Sequence, residues 1–236
     1  MGDPDLIIYG GAFDPPHQGH IDCVRVAAER FPTSQIWIVP AAQPAGASGQ
    51  HKSTTLSFEH RLRLCELAFG PLMSSHPSIT ISTIERDLPP PNFTIRTLTW
   101  AKAKSGYKTF ALLLGQDQLA AFDRWRAPEE ILQTSAIIAV SRKSPAPGKS
   151  DEDPRSVASA LLKSLGQVPQ WSEHDQSWLV PGTTIKITMI EKELSDANST
   201  ALRDQLEGSG NIREDWLPEP VLEYIKSHKL FREPRP

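Results

Sequence analysis

The chain has 236 residues, 39% of them hydrophobic, and a formal net charge of −3. That size and apolar content suit one buried core, hence a single domain over residues 1–236. The mildly acidic balance, with a pI near 6.2, excludes the overall basic field behind non-specific nucleic-acid binding.

No apolar run is long enough to cross a bilayer, and Met1-Gly2-Asp3-Pro4-Asp5 lacks the cationic start of a secretory signal. Cys23 and Cys65 stand alone in helical-looking segments and read as reduced, buried thiols. A cytoplasmic protein without membrane or nucleic-acid partners is expected.

The first element is an apolar strand, Leu6 to Tyr9, that stops at Gly10-Gly11 and restarts as a helical pattern near Pro16. Such a turn lets a ligand approach the main chain, while the helix start offers unpaired N–H groups and a positive dipole end, a setting for phosphate. His17 and His20, at i and i+3 around Gly19, are expected on one side of the first helical turn. A zinc site is disfavoured, since no Glu lies between the histidines and no cysteine cluster is near.

Ile21, Val24, Ala27, Ala28 and Phe31 follow with helical spacing, and Gln35–Val39 is a second strand, so a right-handed parallel βαβ unit is expected. Pro40–Lys52 reads as a loop at a strand's carboxyl end, where α/β proteins hold ligands. A helix after Arg61 and a strand over Ile79–Ile84 come next. Beyond Pro89-Pro90-Pro91 a helix starts, with Asn92 or Thr94 as its cap.

Thr109–Leu114 and Ala136–Val140 are continuous apolar runs, the mark of strands buried on both faces, ending at Gly115-Gln116-Asp117 and Ser141-Arg142-Lys143. Asp117 reads locally as a helix cap and Trp125 as core filler. Val157–Leu165 looks helical, Thr184–Ile190 is a further strand, and Ser199 or Thr200 reads as the N-cap of a helix carrying Arg203. Four strand ends thus meet polar, glycine-bearing turns, which implies an α/β fold: a doubly wound parallel sheet with its pocket above the strands' carboxyl ends.

Gly-Gly-x-Phe-Asp-Pro-x-His-x-Gly-His, residues 10–20, resembles the H-x-G-H signature of the nucleotidylyltransferase superfamily, and its leading Gly-Gly resembles the nicotinate-nucleotide adenylyltransferase branch. Gly115-Gln-Asp…Trp125 resembles that branch's Gly-x-Asp…Trp block. Asn198-Ser-Thr-Ala-Leu-Arg203 resembles the superfamily's Ser-Ser-Thr-x-Ile-Arg motif, with Asn198 in place of its first Ser. Matching blocks run from Leu6 to Phe231, with gaps at residues 40–51 and 143–182.

The resemblance implies a Rossmann-like fold whose C-terminal helical part, about residues 195–231, packs on the sheet. It implies transfer of AMP from ATP to nicotinate mononucleotide, giving the deamido dinucleotide and pyrophosphate. By the same resemblance His17, His20, Lys52 and Arg203 are the catalytic residues. Gly10, Gly11, Phe13, Gly19, Gly115, Asp117, Ser199 and Thr200 would bind ATP, and Thr94, Trp125, Arg126 and Arg142 the mononucleotide. Arg61 matches the Arg that opens the family's next helix.

Trp125 suits a pyridinium, a fixed cation that an indole face attracts by about 0.5–2 kcal/mol. Mg²⁺ is expected through ATP oxygens and water, with no protein metal site. A phosphate neighbour favours the imidazolium form of His20 near neutral pH. Another acceptor of the same superfamily, nicotinamide mononucleotide or phosphopantetheine, and a non-catalytic nucleotide sensor are the alternatives. A homodimer is compatible with the sequence, which leaves the oligomeric state open.

Overall fold

The protein is described here as a computed structural model covering residues 2–44, 54–142, 153–208 and 212–231. Strand β1 (Leu6–Gly11) leads through α1 (Gln18–Arg30) to β2 (Gln35–Pro40), and α2 (Phe58–Ser75) leads to β3 (Ile79–Ile81). Helix α3 (Thr94–Lys104) precedes β4 (Phe110–Gly115), and the short α4 (Gln116–Leu119) and α5 (Pro128–Thr134) precede β5 (Ala136–Arg142). Then come α6 (Pro154–Ser164), β6 (Gln170–Ser172), β7 (Ser177–Leu179), β8 (Lys186–Lys192), α7 (Ser199–Glu207) and α8 (Glu219–Ser227).

Among the described residues the sheet has eight strands in the order β3-β2-β1-β4-β5-β8-β7-β6. The six from β3 to β8 pair in parallel, and β7 and β6 run antiparallel at the edge. The chain winds outward from β1 to β3 and then returns to lay β4 on the other side of β1. Winding therefore reverses between β1 and β4, the place where an open α/β sheet leaves a crevice at its carboxyl edge.

The apolar runs of β1 and β4 follow from burial on both faces. Ile7, Tyr9, Ala111 and Leu113 face a cluster with Val24, Ala27, Leu64, Phe69, Val221 and Ile225 from α1, α2 and α8. Leu6, Ile8, Leu112 and Leu114 face Leu98, Ala101, Ile131 and Leu162 from α3, α5 and α6. Helix α8 lies against α2, and the 3-10 turn Glu214–Trp216 against α1. No helix among the described residues is long and apolar enough to cross a membrane.

Two elements differ from expectation. Strand β3 ends at Ile81, because after Ser82 N–H bonds to Ile38 O the chain turns into a 3-10 segment at Ile84–Arg86. The β6–β7 hairpin was not expected. Its three-residue strands are too short for an alternating pattern to be read, and it forms by pairing Trp171 with Trp178 and by bonding Ser177 to Thr188 of β8 at 3.0 Å.

Candidate active site

The turn after β1 is open where a ligand would need it and closed beneath. Gly10 is exposed, and a Cβ built there would meet nothing within 4 Å. A Cβ on Gly11 would lie 2.9 Å from the Phe13 ring, so this position requires glycine for packing. Phe13 adopts a left-handed φ of 49° and its side chain is 2% exposed, edge-on to Tyr9, Phe69 and His20. The Phe13 ring is therefore core, and any nucleotide contact of Phe13 must run through its main chain.

His17 occupies the N-cap of α1 in extended conformation, and His20 one turn on returns its Nδ1 to accept the His17 N–H at 3.2 Å. The two imidazoles are 3.7 Å apart between centroids. An Nδ1 lone pair that accepts a main-chain N–H leaves the ring proton on Nε2. Burial also pushes the His20 pKa down to about 3. Without ligand His20 is thus a neutral Nε2–H donor, since protonating Nδ1 would set it against the N–H it now receives; the imidazolium was expected only beside a bound phosphate.

Helix α7 supplies the second half of the site. Its N-cap is Asn198, whose Oδ1 accepts the Ala201 N–H at 2.8 Å. Capping does not fall to Ser199 or Thr200, and their hydroxyls serve elsewhere. Ser199 Oγ donates to Pro15 O at 3.0 Å, Arg203 Nη1 donates to Asp14 O at 2.7 Å, and Arg203 Nη2 donates to Thr200 Oγ1 at 3.2 Å. Arg203 Nε is buried with no hydrogen-bond partner among the described residues. Gly19 completes the contact, because a Cβ there would come 3.2 Å from the His17 ring and 3.4 Å from Ala197 O. Residues 17–20 and 199–203, far apart in sequence, thus share one surface.

The remaining expected residues lie at the other strand ends. Gly115 caps α4 in extended conformation, so Asp117 sits inside that helix and is not its cap. Trp125 is half-buried, its ring tilted on Phe122 at 5.2 Å, and Arg126 is exposed beside it. Thr94 opens α3, where the N-cap Phe93 supplies no side-chain hydrogen bond. The cap expected from Asn92 or Thr94 is absent because Asn92 is turned toward the loop after β2. No hydrogen bond joins Thr94, Trp125 or Arg126 to the His17–Arg203 group among the described residues. Lys52 and the side chain of Arg142 lie outside the described residues.

The sequence singled out Arg61 but not its burial, and it did not mark the other braces of this site as buried. Arg61 is 1% exposed and donates from Nη1 to Ala12 O at 2.7 Å, from Nε to Leu56 O at 3.3 Å and from Nη2 to Ala42 O at 3.4 Å. Burial lowers its pKa, while the nearby Asp14 charge favours the cation. Asp14 accepts the Thr55 and Leu56 N–H groups at 2.6 and 3.2 Å. Asp22 of α1 accepts the Ser195 N–H at 2.9 Å and so holds the approach to α7. A charged residue in a helix or turn carries no sequence sign that it will be buried against main chain. Only its place in the H-x-G-H turn marked out Asp14.

The donors gathered here are imidazole, hydroxyl, guanidinium and main-chain N–H groups, which complement phosphate oxygens. Residues 8–205 match the cytidylyltransferase-like family. A "Probable nicotinate-nucleotide adenylyltransferase" of Roseiflexus sp. is 30% identical over 98% of this chain and 100% of its own length. Another of that name, from Acidithiobacillus ferrooxidans, is 28% identical over 98% and 97%. The fold is that of the solved Plasmodium falciparum nicotinic acid mononucleotide adenylyltransferase complexed with NaAD, at 20% identity, a TM-score of 0.65 and 98% coverage of both chains. With the family's histidine turn joined to the helix of Arg203 by a hydrogen bond, and with relatives matched along their full length, this chain belongs to the cytidylyltransferase-like family, beside proteins named nicotinate-nucleotide adenylyltransferases.

Proposed function

We propose that the protein transfers AMP from ATP to nicotinate mononucleotide, forming nicotinic acid adenine dinucleotide and pyrophosphate, as an NAD-biosynthetic enzyme of the cytoplasm. The observation that carries this reading is the bond from Arg203 to Asp14 O, which sets the guanidinium three residues from His17 in the same turn. The names of the full-length relatives support the choice of acceptor. In this reading residues 1–236 form one domain, with the stretch from about 195 to 231 packed on it.

The acceptor phosphate is anionic at neutral pH, so no protein nucleophile or strong base is needed. The barrier lies in bringing two polyanions into line. Arg203 and Lys52 would neutralise the triphosphate, and His17 and His20 would donate hydrogen bonds to it, as negative charge moves toward the leaving pyrophosphate. Arg203 Nε, buried and without a hydrogen-bond partner among the described residues, suits a phosphate oxygen. The neutral Nε2–H of His20 donates a hydrogen bond and requires no protonation first. Gly10, Gly11, Gly19, Gly115, the Phe13 main chain, Asp117, Ser199 and Thr200 would hold ATP.

Thr94, Trp125, Arg126 and Arg142 would hold the mononucleotide. The N–H groups that open α3 suit a pyridine carboxylate, and the half-buried indole of Trp125 suits the ring cation. No group of three or more His, Cys, Asp or Glu side chains is arranged to hold a metal among the described residues. Mg²⁺ fits this donor set only as an ion held by ATP oxygens and water. When bound it would offset phosphate charge.

One assay tests the reading. With ATP and Mg²⁺, pyrophosphate release should be fast with nicotinate mononucleotide, slower with nicotinamide mononucleotide, and absent with phosphopantetheine. A preference for phosphopantetheine, or no turnover with any pyridine acceptor, would refute it.

A further inference from the structure

The loop that leaves β2 is tied down before it begins. Ala42 O accepts Arg61 Nη2, Gln43 N–H donates to Asn92 Oδ1 at 2.6 Å, and Gln43 O accepts the Asn92 N–H at 3.0 Å. Asn92 Nδ2 in turn donates to the carbonyl of Glu85 at 3.0 Å, and Thr97 Oγ1 donates to Glu85 Oε1 at 2.7 Å. Glu85, Asn92, Thr97 and Arg61 are all buried, Glu85 with 6% of its surface exposed. An ionisable carboxyl placed so deep is costly unless it is hydrogen-bonded or paired, and nothing in the proposed chemistry uses it.

We propose that Glu85 is a positioning residue for the acceptor half of the site. Through its carboxylate it grips the first turn of α3 at Thr97, and through its carbonyl and Asn92 it grips the start of the loop at Gln43. Arg61 joins the same loop to the β1–α1 turn at Ala12. The Thr94 end of α3 is thereby set at a fixed distance from the turn that receives the triphosphate. The inference rests on the reading of Thr94 as a mononucleotide contact.

Burial pushes the Glu85 pKa up to about 7, against the Thr97 hydroxyl, the Ala42 N–H and the Arg61 guanidinium. Arg61 is the charged group facing it from α2, with Asp14 of the β1–α1 turn beyond. Helix α3 contributes the uncharged Thr97, and the loop before it the uncharged Asn92.

The test compares full-length wild type with E85A, E85Q and T97V, by steady-state kinetics and by hydrogen exchange of residues 42–43 and 92–98. E85A should raise the KM for nicotinate mononucleotide about tenfold with the KM for ATP within about twofold. It should also speed exchange at 42, whose N–H meets the Glu85 carboxylate, and at 97, while that of β4 stays unchanged. T97V should follow in the same direction, and E85Q, which can still accept from Thr97, should restore both readouts.

Equal loss of both KM values, a uniform rise in exchange, or unchanged acceptor KM would overturn the inference. If wild type turned over no pyridine acceptor, the proposed function would fall. Exchange would then decide alone, and unchanged protection at 42 in E85A would overturn the inference.

Discussion

His20 has two tasks that a single substitution can separate. Its Nδ1 completes the start of α1 by receiving the His17 N–H, and in the proposed reading its Nε2–H meets a phosphate oxygen. H20A should therefore lower kcat by about 10²-fold, the usual effect of losing one charge-stabilising donor, with the mononucleotide KM nearly unchanged. An unchanged kcat would remove His20 from the catalytic group. Trp125, by contrast, should act on binding. W125A should raise the mononucleotide KM by roughly 2- to 30-fold, the range of one cation–π contact, and W125F should recover part of the loss. Equal kinetics for W125A and wild type would return Trp125 to the role of core filler on Phe122.

Among the elements, α7 shows how a helix can be positioned by contacts at its N-terminal end. Asn198 caps it, Ser199 and Arg203 fasten it to Pro15 and Asp14, and Asp22 holds the residues before it. Farther out, Asp196 accepts from both Trp216 Nε1 and Arg213 Nη1 at 2.8 Å, which clasps the same approach to the C-terminal segment. N198A should lower stability by about 1 kcal/mol, the ordinary effect of losing an N-cap, as read by denaturant unfolding.

Arg61 is a stronger case, since one planar fork serves carbonyls from three separate segments. R61A would leave Asp14 and Glu85 without their nearby cation, and about 3–5 kcal/mol of stability should be lost. R61K should recover little, because a point ammonium cannot reproduce the fork. Full recovery by Lys would show that charge alone matters there.

At the scale of the whole molecule, buried Glu85 and half-buried His20 pull stability in opposite directions with pH. Glu85, with a folded pKa of about 7 against an ordinary value of 4.5, keeps its proton in the folded state after the unfolded chain has lost it. Stability from this group is complete below about pH 4.5 and falls as pH rises through 7, by about 3 kcal/mol in all. His20, with a folded pKa near 3 against 6.5, stays neutral while the unfolded chain takes a proton, so its contribution falls as pH drops below 6.5. E85Q should abolish the loss on the alkaline side and leave the acidic loss in place, as measured by denaturant unfolding from pH 4 to 8. An unchanged alkaline slope in E85Q would contradict the assignment.

The α/β class and the polar, glycine-bearing turns at the strands' carboxyl ends were legible in the sequence because both follow from local signals. Ile7–Tyr9 and Leu112–Leu114 are apolar on consecutive positions, as only strands covered on both faces can be, and glycines mark the turns where a ligand needs open main chain. The family motifs likewise survive as short words, readable without knowing what they touch. What the sequence could not contain was which polar side chains would be turned inward. Arg61, Asp14, Glu85 and Asn92 look like ordinary surface residues until the sheet brings distant main-chain groups within 3 Å or so of them. Nor could it assign the proton of His20, which depends on one N–H three residues away in a turn that closes only in the folded chain. Local periodicity decided the elements, whereas burial and hydrogen-bond partners, being properties of packing between remote segments, were decided by the tertiary structure alone.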